Sequence, residues 1–488
     1  MSTPCLPTVE ICDRARAAKD ARFDGLFFTA VRSTRIYCRP VCPAPTPKRS
    51  NIVYYATAAA ATAAGYRPCL RCRPELSPEA VAQGGSALVD RALTLIADGA
   101  LQDSSIAALA LRVGISDRQL RRAFLVHMGA TPMAVHATRR LLLAKQLLTE
   151  TALPVTHVAL AAGFNSLRRF NAAFAQGCGM PPTAIRRQRG AMIDDTLQLR
   201  LAYRPPLDFP LLLSFLAKRA IPGIEHVAAD RYERVIGPCD ASTWIEVRAD
   251  PKRPELLLRI SPTDPRGIPG IVRRVRRLFD LDADLAPVHA AMATEPLLAK
   301  GIARRPGLRV PGGWDGFEIA VRAVLGQQVS VAGATTLARR LVERYGASRE
   351  RPRSGLDRAF PEPQALIDAP LELVGLPKSR ASTLRTLAAA VLAGDIDFAA
   401  GQSLETFVRA FVALPGIGPW TAHYVAMRAL HHPDAFPAGD LILQQVLGGA
   451  QRLTERATEA RSQAWRPWRA YAVLHLWHLS NEPETEQD

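Results

Sequence analysis

The sequence of 488 residues contains no run of about 18 or more apolar residues free of charge, which is the length that a membrane-spanning helix needs. It also shows no apolar signal core near its beginning, because the stretch 1–10 is short and interrupted by proline. Cysteine is scarce, with 8 residues. We therefore expect a cytoplasmic chain with no membrane partner, whose cysteines stay reduced and form no disulfide framework.

The positive charge of the chain is unevenly distributed. The net charge is +17, and residues 1–200 hold 26 Lys and Arg against 13 Asp and Glu, whereas the remainder holds 36 against 32. This asymmetry predicts that the first part of the chain binds a polyanion. A generally basic surface with no particular partner is the alternative.

The length and composition of the chain indicate that it folds into several domains. The predicted domains are residues 8–76 with clustered cysteines, 87–189 with helical periodicity, 196–300 with apolar alternation and helices, and 304–480, which is again mostly helical. Proline, glycine and serine mark a linker over 77–86, and the polar residues 481–488 form a tail.

The second segment contains an internal repeat. Two frames share the order glycine, phenylalanine, glycine, proline: Gly114, Phe124, Gly129 and Pro132, then Gly163, Phe174, Gly179 and Pro182. In each frame an Ala/Leu-rich helix (106–113 and 155–162) meets a glycine and then an Arg-rich helix (117–124 and 166–174). This order predicts two helix–turn–helix units.

Twin units of this kind resemble the AraC-type activators, whose two recognition helices enter successive major grooves. The resemblance implies double-stranded DNA as a partner. The arginines of the two recognition helices either read bases or hold phosphates, and we expect phosphate contact for most of them. They are Arg118, Arg121, Arg122, Arg168 and Arg169.

Four cysteines in the first segment have the spacing of a metal site. Cys38-x3-Cys42 and Cys69-x2-Cys72 are separated by 26 residues, and each pair can span one edge of a tetrahedron around zinc. We expect one Zn²⁺ bound by all four thiolates, which leaves no open position for a zinc-dependent hydrolase. Four unrelated thiols, or a structural zinc without reactivity, are the alternatives.

The strings around these cysteines, YCRPVC from Tyr37 and GYRPCLRCRPE from Gly65, resemble the N-terminal domain of the Ada family. The resemblance implies that Cys38 is both a zinc ligand and the acceptor of a methyl group from a methylated backbone phosphate. Methylation then removes one negative charge from the centre, and affinity for DNA rises. We expect the neighbouring arginines to hold phosphate. They are Arg35, Arg39, Arg67 and Arg71.

The last segment contains a helix–hairpin–helix pattern. In VALPGIGPWTAHYVAMR (412–428), Gly416 and Gly418 permit a tight hairpin whose free N–H groups bind phosphate without reading sequence. About 20 residues later comes Phe436-Pro437-Ala438-Gly439-Asp440. This order resembles the base-excision glycosylase superfamily and implies that Asp440 is the catalytic aspartate. Asp434 is interpreted as an ordinary loop carboxylate.

The similarity extends over about 197–480. The stretches 204–227, 303–334 and 465–477 resemble the AlkA-type alkylpurine glycosylases. This resemblance implies base flipping, a small TBP-like α+β domain before an all-α glycosylase domain, and a base pocket formed by four aromatic residues. They are Phe215, Trp420, Tyr424 and Trp477. An ordinary core position is the alternative for each of them.

Three departures from these families refine the prediction. Bifunctional glycosylases place a Schiff-base lysine where this chain has Trp420, so we expect a monofunctional hydrolase. The residue inserted into the gap left by the flipped base is apolar in AlkA, but here it is Gln328. The sequence has no Pro-Cys-His-Arg string, which marks the methylguanine-accepting domain of longer Ada proteins.

The sequence thus predicts a multidomain, mainly α protein with α+β parts. Its order is a four-cysteine zinc domain, an AraC-type twin helix–turn–helix, a TBP-like α+β domain and a helix–hairpin–helix glycosylase domain. We expect a bacterial, nucleoid-associated protein that repairs alkylated DNA and activates transcription with RNA polymerase as a partner. The alternative is a transcription factor whose glycosylase-like domain binds DNA without catalysis.

Overall fold

The computed structural model describes residues 6–78, 86–102, 104–187, 196–237, 243–261, 263–353, 355–399 and 402–480. Most of the predicted linker, the last two residues of the predicted second domain and the polar tail 481–488 lie outside these ranges.

The described chain is mainly helical, with short strands in three places. The helices are α1 Val9–Ala18, α2 Ala58–Ala63, α3 Ala87–Ala97, α4 Ile106–Val113, α5 Asp117–Met128, α6 Pro132–Glu150, α7 Val155–Ala161, α8 Leu167–Cys178, α9 Pro182–Arg187, α10 Phe209–Ala217, α11 Ile268–Leu278, α12 Leu285–Met292, α13 Pro296–Arg304, α14 Gly316–Leu325, α15 Val331–Tyr345, α16 Pro363–Leu366, α17 Lys378–Ala393, α18 Leu404–Val412, α19 Pro419–Arg428, α20 Leu441–Gly448, α21 Glu455–Ser462 and α22 Arg469–Leu479. The strands are β1 Phe28–Val31, β2 Ile36–Cys38, β3 Ile52–Tyr55, β4 Arg67–Pro68, β5 Leu197–Ala202, β6 Glu225–Val227, β7 Arg231–Val235, β8 Trp244–Ala249, β9 Glu255–Ile260, β10 Ser348–Arg353 and β11 Leu356–Arg358.

The chain forms two compact units. The first unit comprises residues 1–205 and 248–273, and the second comprises 206–247 and 274–488. The predicted α+β segment 196–300 is therefore shared: β5 pairs with β9 in the first unit, and β6 pairs with β7 in the second, both antiparallel. The four boundaries stay predictions. The multidomain, mainly helical fold class is confirmed.

The first unit begins with a four-stranded sheet in the order β3-β1-β2-β4. β1 pairs antiparallel with β2 and β3, and β2 pairs parallel with the short β4. Helices α5 and α6 contact this part of the chain through polar and ionic groups. Lys145 of α6 pairs with Glu75 at 2.5 Å, with both side chains fully buried, and the hydroxyl of Thr57 donates to the carbonyl of Met128 at 2.7 Å.

The predicted helix–turn–helix motif occurs twice in this unit. α4 and α5 flank Gly114, α7 and α8 flank Gly163, and both glycines have positive φ angles of 81° and 76°. Such angles are readily available to glycine, which has no Cβ. Ser116 and Ser166 cap α5 and α8 by accepting a backbone N–H bond. The two helix–turn–helix units therefore match the sequence prediction.

The second unit has a large apolar core that includes residues of α12, α14, α17, α19 and α22. Glu318 of α14 lies at one side of this core, where it pairs with Arg234 and with Arg322 at 2.6 Å. α18 and α19 form the predicted helix–hairpin–helix, and α20 follows after a loop. Among the described residues, no helix combines the length and apolar character that a membrane crossing needs.

Candidate functional site

The four clustered cysteines lie at the ends of two neighbouring strands. β2 ends at Cys38, and its parallel neighbour β4 is followed at once by Cys69. The N–H of Cys69 donates to the carbonyl of Tyr37 at 3.0 Å, which holds the two strand ends together. Together with Cys42 and Cys72, all four Sγ atoms lie within 4.8 Å of one another.

This thiol set fits a zinc ion. Tetrahedral zinc with Zn–S distances of about 2.3 Å places its sulfur ligands about 3.8 Å apart, which agrees with the observed cluster. The N–H of Arg39 donates to Cys72 Sγ at 3.3 Å, and the N–H of Arg71 donates to Cys69 Sγ at 3.4 Å. Such bonds stabilise thiolate ligands. Across the described residues, no other group of three or more His, Cys, Asp or Glu converges in this way.

A cavity of about 790 Å³ opens beside the cysteines. Cys38, Cys42 and Cys69 line the cavity; Cys38 and Cys42 are half-buried, whereas Cys69 and Cys72 are buried. The cavity is also lined by basic side chains, namely those of Arg16, Lys48, Arg67 and Arg71. The centre therefore presents Cys38 to a basic opening in which a phosphate group can bind.

Arg39 forms an ion pair with Asp24. Its side chain is buried, and its Nε donates to both carboxylate oxygens of Asp24 at 2.9 and 3.0 Å. These bonds occupy the guanidinium and argue against phosphate binding, but Arg39 also lines the cavity, and its role stays a prediction. Arg35 is exposed, lies 4.6 Å from the Tyr66 ring centre, and stays a candidate phosphate ligand.

The arginines of the two recognition helices are solvent-exposed. Arg118 and Arg122 lie on α5, and Arg168 and Arg169 lie on α8. Arg121 is also exposed, but its Nε donates to Asp117 at 2.7 Å, so part of its donor capacity is used within the helix. Exposure makes DNA contact by these side chains feasible, and their roles stay predictions.

Asp440 is fixed at the beginning of α20. Its Oδ1 accepts the N–H groups of Ile442 and Leu443, both at 3.0 Å, and the side chain is nearly buried. The indole N–H of Trp420 donates to Oδ2 at 2.8 Å, and that of Trp477 donates to Oδ1 at 3.2 Å. Four donors therefore orient and stabilise one carboxylate anion. Sequence reasoning did not anticipate that two pocket aromatics hold the aspartate.

The predicted pocket aromatics are brought together around this carboxylate. Trp420 and Tyr424 stack with ring centres 5.2 Å apart and planes 9° apart, and Tyr424 lies 6.4 Å from Trp477. Arg428 connects Phe215 to the other three aromatic residues. Its guanidinium carbon lies 4.8 Å from the centre of the Phe215 ring and 5.7 Å from the centre of the Tyr424 ring.

Two arginines of this pocket were missed by sequence reasoning. Arg219 lies 3.8 Å over the Phe215 ring, and Arg428 donates to the Tyr424 hydroxyl at 2.8 Å. Each arginine follows its aromatic partner by four residues; in α19 that spacing places Tyr424 and Arg428 on one helix face, whereas Arg219 lies just after the end of α10. Burial acts to raise the pKa of the Tyr424 phenol, but the positive charges of Arg428 and Arg219 outweigh it and hold this pKa below its usual value.

The hairpin and the loop after α14 lie next to each other. Gly416 has a φ angle of 83°, and a Cβ at this position would overlap Thr383 Oγ1. The side chain of Gln327 donates to the Gly416 carbonyl at 3.0 Å, which fixes the neighbouring Gln328 beside the hairpin. Gln328 is exposed and has a φ angle of 55°, a conformation that few residues other than glycine adopt.

Asp434, the other carboxylate of this region, has a structural role. It is buried and accepts the Nε of Arg469 at 2.7 Å, and it also pairs with Arg466. The sequence interpretation of Asp434 as an ordinary loop carboxylate agrees with these contacts.

Four family models match successive parts of the chain. The matches are "Metal binding domain of Ada" at 11–75, "Helix-turn-helix domain" at 109–188, "AlkA N-terminal domain" at 198–315 and "HhH-GPD superfamily base excision DNA repair protein" at 321–470. Their order is the order predicted from the sequence.

Similar proteins cover both the whole chain and its second part. A "Probable bifunctional transcriptional activator/DNA repair enzyme AlkA" of Mycobacterium tuberculosis is 39% identical over 97% of each chain. The "DNA-3-methyladenine glycosylase 2" of Escherichia coli is 34% identical and matches 57% of this chain and 96% of its own length. The solved "3-methyladenine dna-glycosylase from Archaeoglobus fulgidus" has the same fold over 58% of this chain and 97% of its own, with a TM-score of 0.51 at 19% identity.

Proposed function

Since the chain belongs to the family of bifunctional transcriptional activator/DNA repair enzymes that includes the M. tuberculosis AlkA protein, we propose that it excises alkylated bases and senses methylated DNA. It is a DNA repair protein and regulator, and its glycosylase part is of the DNA-3-methyladenine type. The catalytic proposal rests on one observation: the indole N–H groups of Trp420 and Trp477 donate to the Asp440 carboxylate, and Trp420 stacks on Tyr424 beside it.

The first domain has one Zn²⁺ site formed by the four clustered cysteines. Bound zinc keeps its cysteine ligands deprotonated at neutral pH. We propose that Cys38 accepts the methyl group, because the Ada-like string YCRPVC places it at the acceptor position and because it is half-buried at the cavity, as Cys42 also is. The Cys38 sulfur forms a bond to the methyl carbon as the bond from that carbon to the phosphate oxygen breaks, and the phosphate leaves as a diester anion.

Basic residues of the cavity support binding of the methylated strand. Arg67 and Arg71 hold the phosphates that flank the neutral triester, and Arg35 contributes from its exposed position. Methylation of Cys38 removes one negative charge beside these phosphates, so repulsion falls and DNA affinity rises. The consumed acceptor thus becomes a signal for damage.

Removal of zinc is expected to destabilise the first domain. Without the metal, four converging thiols lose the interaction that holds them together. We expect a chelator to lower the first thermal unfolding midpoint by about 10 °C, which corresponds to a few kcal/mol for a unit of this size. Differential scanning calorimetry measures this shift, with zinc re-addition as the control. An unchanged midpoint would contradict the zinc assignment.

We propose that the twin helix–turn–helix places α5 and α8 on promoter DNA. The exposed arginines Arg118, Arg122, Arg168 and Arg169 contact phosphates for the most part, with a smaller share of base reading. The protein then acts at the bacterial nucleoid in the cytoplasm and recruits RNA polymerase.

The excision step follows from the charge on Asp440. The damaged nucleotide is flipped out of the duplex into the pocket. Ring-nitrogen alkylation makes a purine cationic, so the glycosidic bond breaks with its electron pair moving to the base, which leaves neutral. Positive charge develops on the sugar, where the fixed carboxylate of Asp440 stabilises it and orients the attacking water.

The aromatic residues hold the flipped cationic base. Cation–π contact with the faces of Tyr424 and Trp477 contributes about 0.5–2 kcal/mol each. Phe215 can contribute in the same way only after the guanidinium of Arg219 leaves its ring. Trp420 stacks on Tyr424, and its main role is to position the Asp440 carboxylate through the indole N–H bond.

The hairpin between α18 and α19 and the loop after α14 bind DNA around the flipped nucleotide. The N–H groups near Gly416 and Gly418 bind phosphate at the beginning of α19. We propose that Gln328 enters the gap in the duplex, because it is exposed and its backbone is held in a strained conformation beside the hairpin.

The chain is expected to act as a monofunctional hydrolase, because Trp420 stands where a Schiff-base lysine would be needed. Incubation with an alkylated duplex should produce abasic sites that break only on alkali treatment, and borohydride should trap no protein–DNA adduct. Breaks without alkali, or a trapped adduct, would show lyase chemistry. Absence of abasic sites would instead favour the noncatalytic DNA-binding alternative.

A further inference from the structure

We propose that the hydroxyl of Tyr424 donates a proton to the leaving base when the excised base is a neutral lesion. This inference rests on the proposed glycosylase function and extends it from cationic to neutral leaving groups. It gives the hydroxyl a role separate from stacking by the aromatic ring.

The position of Tyr424 brings its ring close to both indoles that bind Asp440. Its ring stacks on Trp420, whose indole N–H donates to Asp440 Oδ2 at 2.8 Å. In the proposed reaction Asp440 faces the sugar. Trp420 therefore connects Tyr424 to the catalytic carboxylate, because it stacks on the tyrosine and donates to the aspartate. Its side chain is half-buried, which leaves part of it accessible to a flipped base.

The surroundings of the hydroxyl oxygen leave its own proton available. This oxygen accepts a hydrogen bond from Arg428 Nη1 at 2.8 Å. Arg428 is buried and cannot turn away, because it also donates to the carbonyls of Pro311 and Gly312, the latter at 3.0 Å. Arg219 adds a second positive charge that acts on the phenol. A hydroxyl that accepts from guanidinium groups is polarised, and its O–H becomes a stronger donor.

The charges that face the hydroxyl all favour proton release. Arg428 lies on the same helix, and Arg219 lies just after α10. Arg322 of α14 is a further positive charge that interacts with Arg428. The negative charge of Asp440 is bound by the indole N–H groups of Trp420 and Trp477. The phenol is therefore a stronger acid than an ordinary tyrosine, whose pKa is about 10.

The chemistry requires such a donor for only one class of lesion. A cationic alkylpurine takes the electron pair of the breaking glycosidic bond and leaves as a neutral molecule. A neutral base would leave as an anion, so a proton must reach one of its ring nitrogens. Tyr424 supplies that proton, its phenolate is stabilised between Arg428 and Arg219 and regains a proton from solvent, and water adds to the sugar with loss of its own proton.

The test compares the full-length protein with its Tyr424→Phe variant on two duplexes. One duplex carries 7-methylguanine, which is cationic, and the other carries hypoxanthine, which is neutral. Tyr424→Phe keeps the stacking ring, and we expect it to lower the ratio of the single-turnover rate on hypoxanthine to the rate on 7-methylguanine about 100-fold. The matched control is Tyr345→Phe, since the Tyr345 hydroxyl donates to the Pro370 carbonyl outside the pocket.

A pH profile separates proton donation from a structural role. Deprotonated tyrosine cannot donate, so wild-type release of hypoxanthine should fall as the pH rises through the lowered pKa of Tyr424. This alkaline fall should be absent in Tyr424→Phe and for 7-methylguanine. Arg219→Gln removes one polarising charge and should move the fall to higher pH.

Each outcome decides the proposal. Equal slowing on both duplexes, unchanged release of hypoxanthine, or no release of hypoxanthine by the wild type would overturn it. Failure of the wild type to release 7-methylguanine would instead contradict the proposed function itself. The rate on 7-methylguanine also reports that the variant is folded.

Discussion

Asp440→Asn is expected to slow release of methylated purines by about 10³-fold, or about 4 kcal/mol in transition-state stabilisation. The substitution keeps the size of the side chain and one carbonyl oxygen for the N–H groups of Ile442 and Leu443. It removes the negative charge that faces the developing positive charge on the sugar. It also turns an amide donor toward an indole N–H that needs an acceptor. Quantification of free methylpurine in a single-turnover assay measures the effect.

A matched control for this variant is Asp315→Asn. Asp315 caps α14 by accepting the N–H of Glu318 at 3.1 Å, is exposed, and lies outside the pocket aromatics. The same chemical change at this helix cap should leave base release within about twofold of the wild type. Similar release by Asp440→Asn and by the wild type would contradict the catalytic role of Asp440.

Cys38→Ala is expected to abolish methyl transfer from phosphotriesters. The change removes the proposed nucleophile, and it leaves three cysteines in the cluster, of which Cys42 is half-buried and Cys69 and Cys72 are buried. It also leaves zinc with three thiolates, so the first domain should be less stable. Methylation-dependent promoter binding should be lost, whereas base release should persist because the second unit has its own core. Transfer of labelled methyl groups to protein measures the first effect.

Cys12→Ala provides the control for cysteine removal in the same unit. Cys12 is buried on α1, its thiol donates to the Pro7 carbonyl at 3.4 Å, and it does not belong to the metal cluster. Its replacement should leave methyl transfer intact. Persistent labelling of Cys38→Ala would show that another residue is the acceptor and would end the switch proposed for Cys38.

Local elements could be predicted closely from the sequence. The helix at 106–113 agrees with the structure residue by residue, and the apolar alternation noted within 196–300 coincides with the strands Leu197–Ala202 and Glu255–Ile260. These elements have strong local signals, since apolar alternation marks a strand, and a serine before a helix with a glycine after it marks the helix limits. The four cysteines and the aspartate after the hairpin were recognisable for the same reason, because each belongs to a short motif.

Tertiary pairing could not be predicted in this way. Arg39 has the local context of a phosphate ligand, yet Asp24, fifteen residues earlier, neutralises it. The roles of Arg219 and Arg428 depend on two helices that meet only in the fold. Burial of the pair formed by Lys145 and Glu75 likewise joins segments 70 residues apart, and no local pattern reveals such a contact.

The central claim is that one chain holds two separable chemistries, methyl acceptance at Cys38 and base excision at Asp440. Its most direct test is one incubation with methylated DNA, followed by peptide mass spectrometry of the protein and measurement of free bases. The wild type should carry one methyl group on the peptide with Cys38 and release methylpurine. Cys38→Ala should lose only the first product, and Asp440→Asn only the second. Loss of both products in either variant, or a methyl group on another peptide, would contradict the claim.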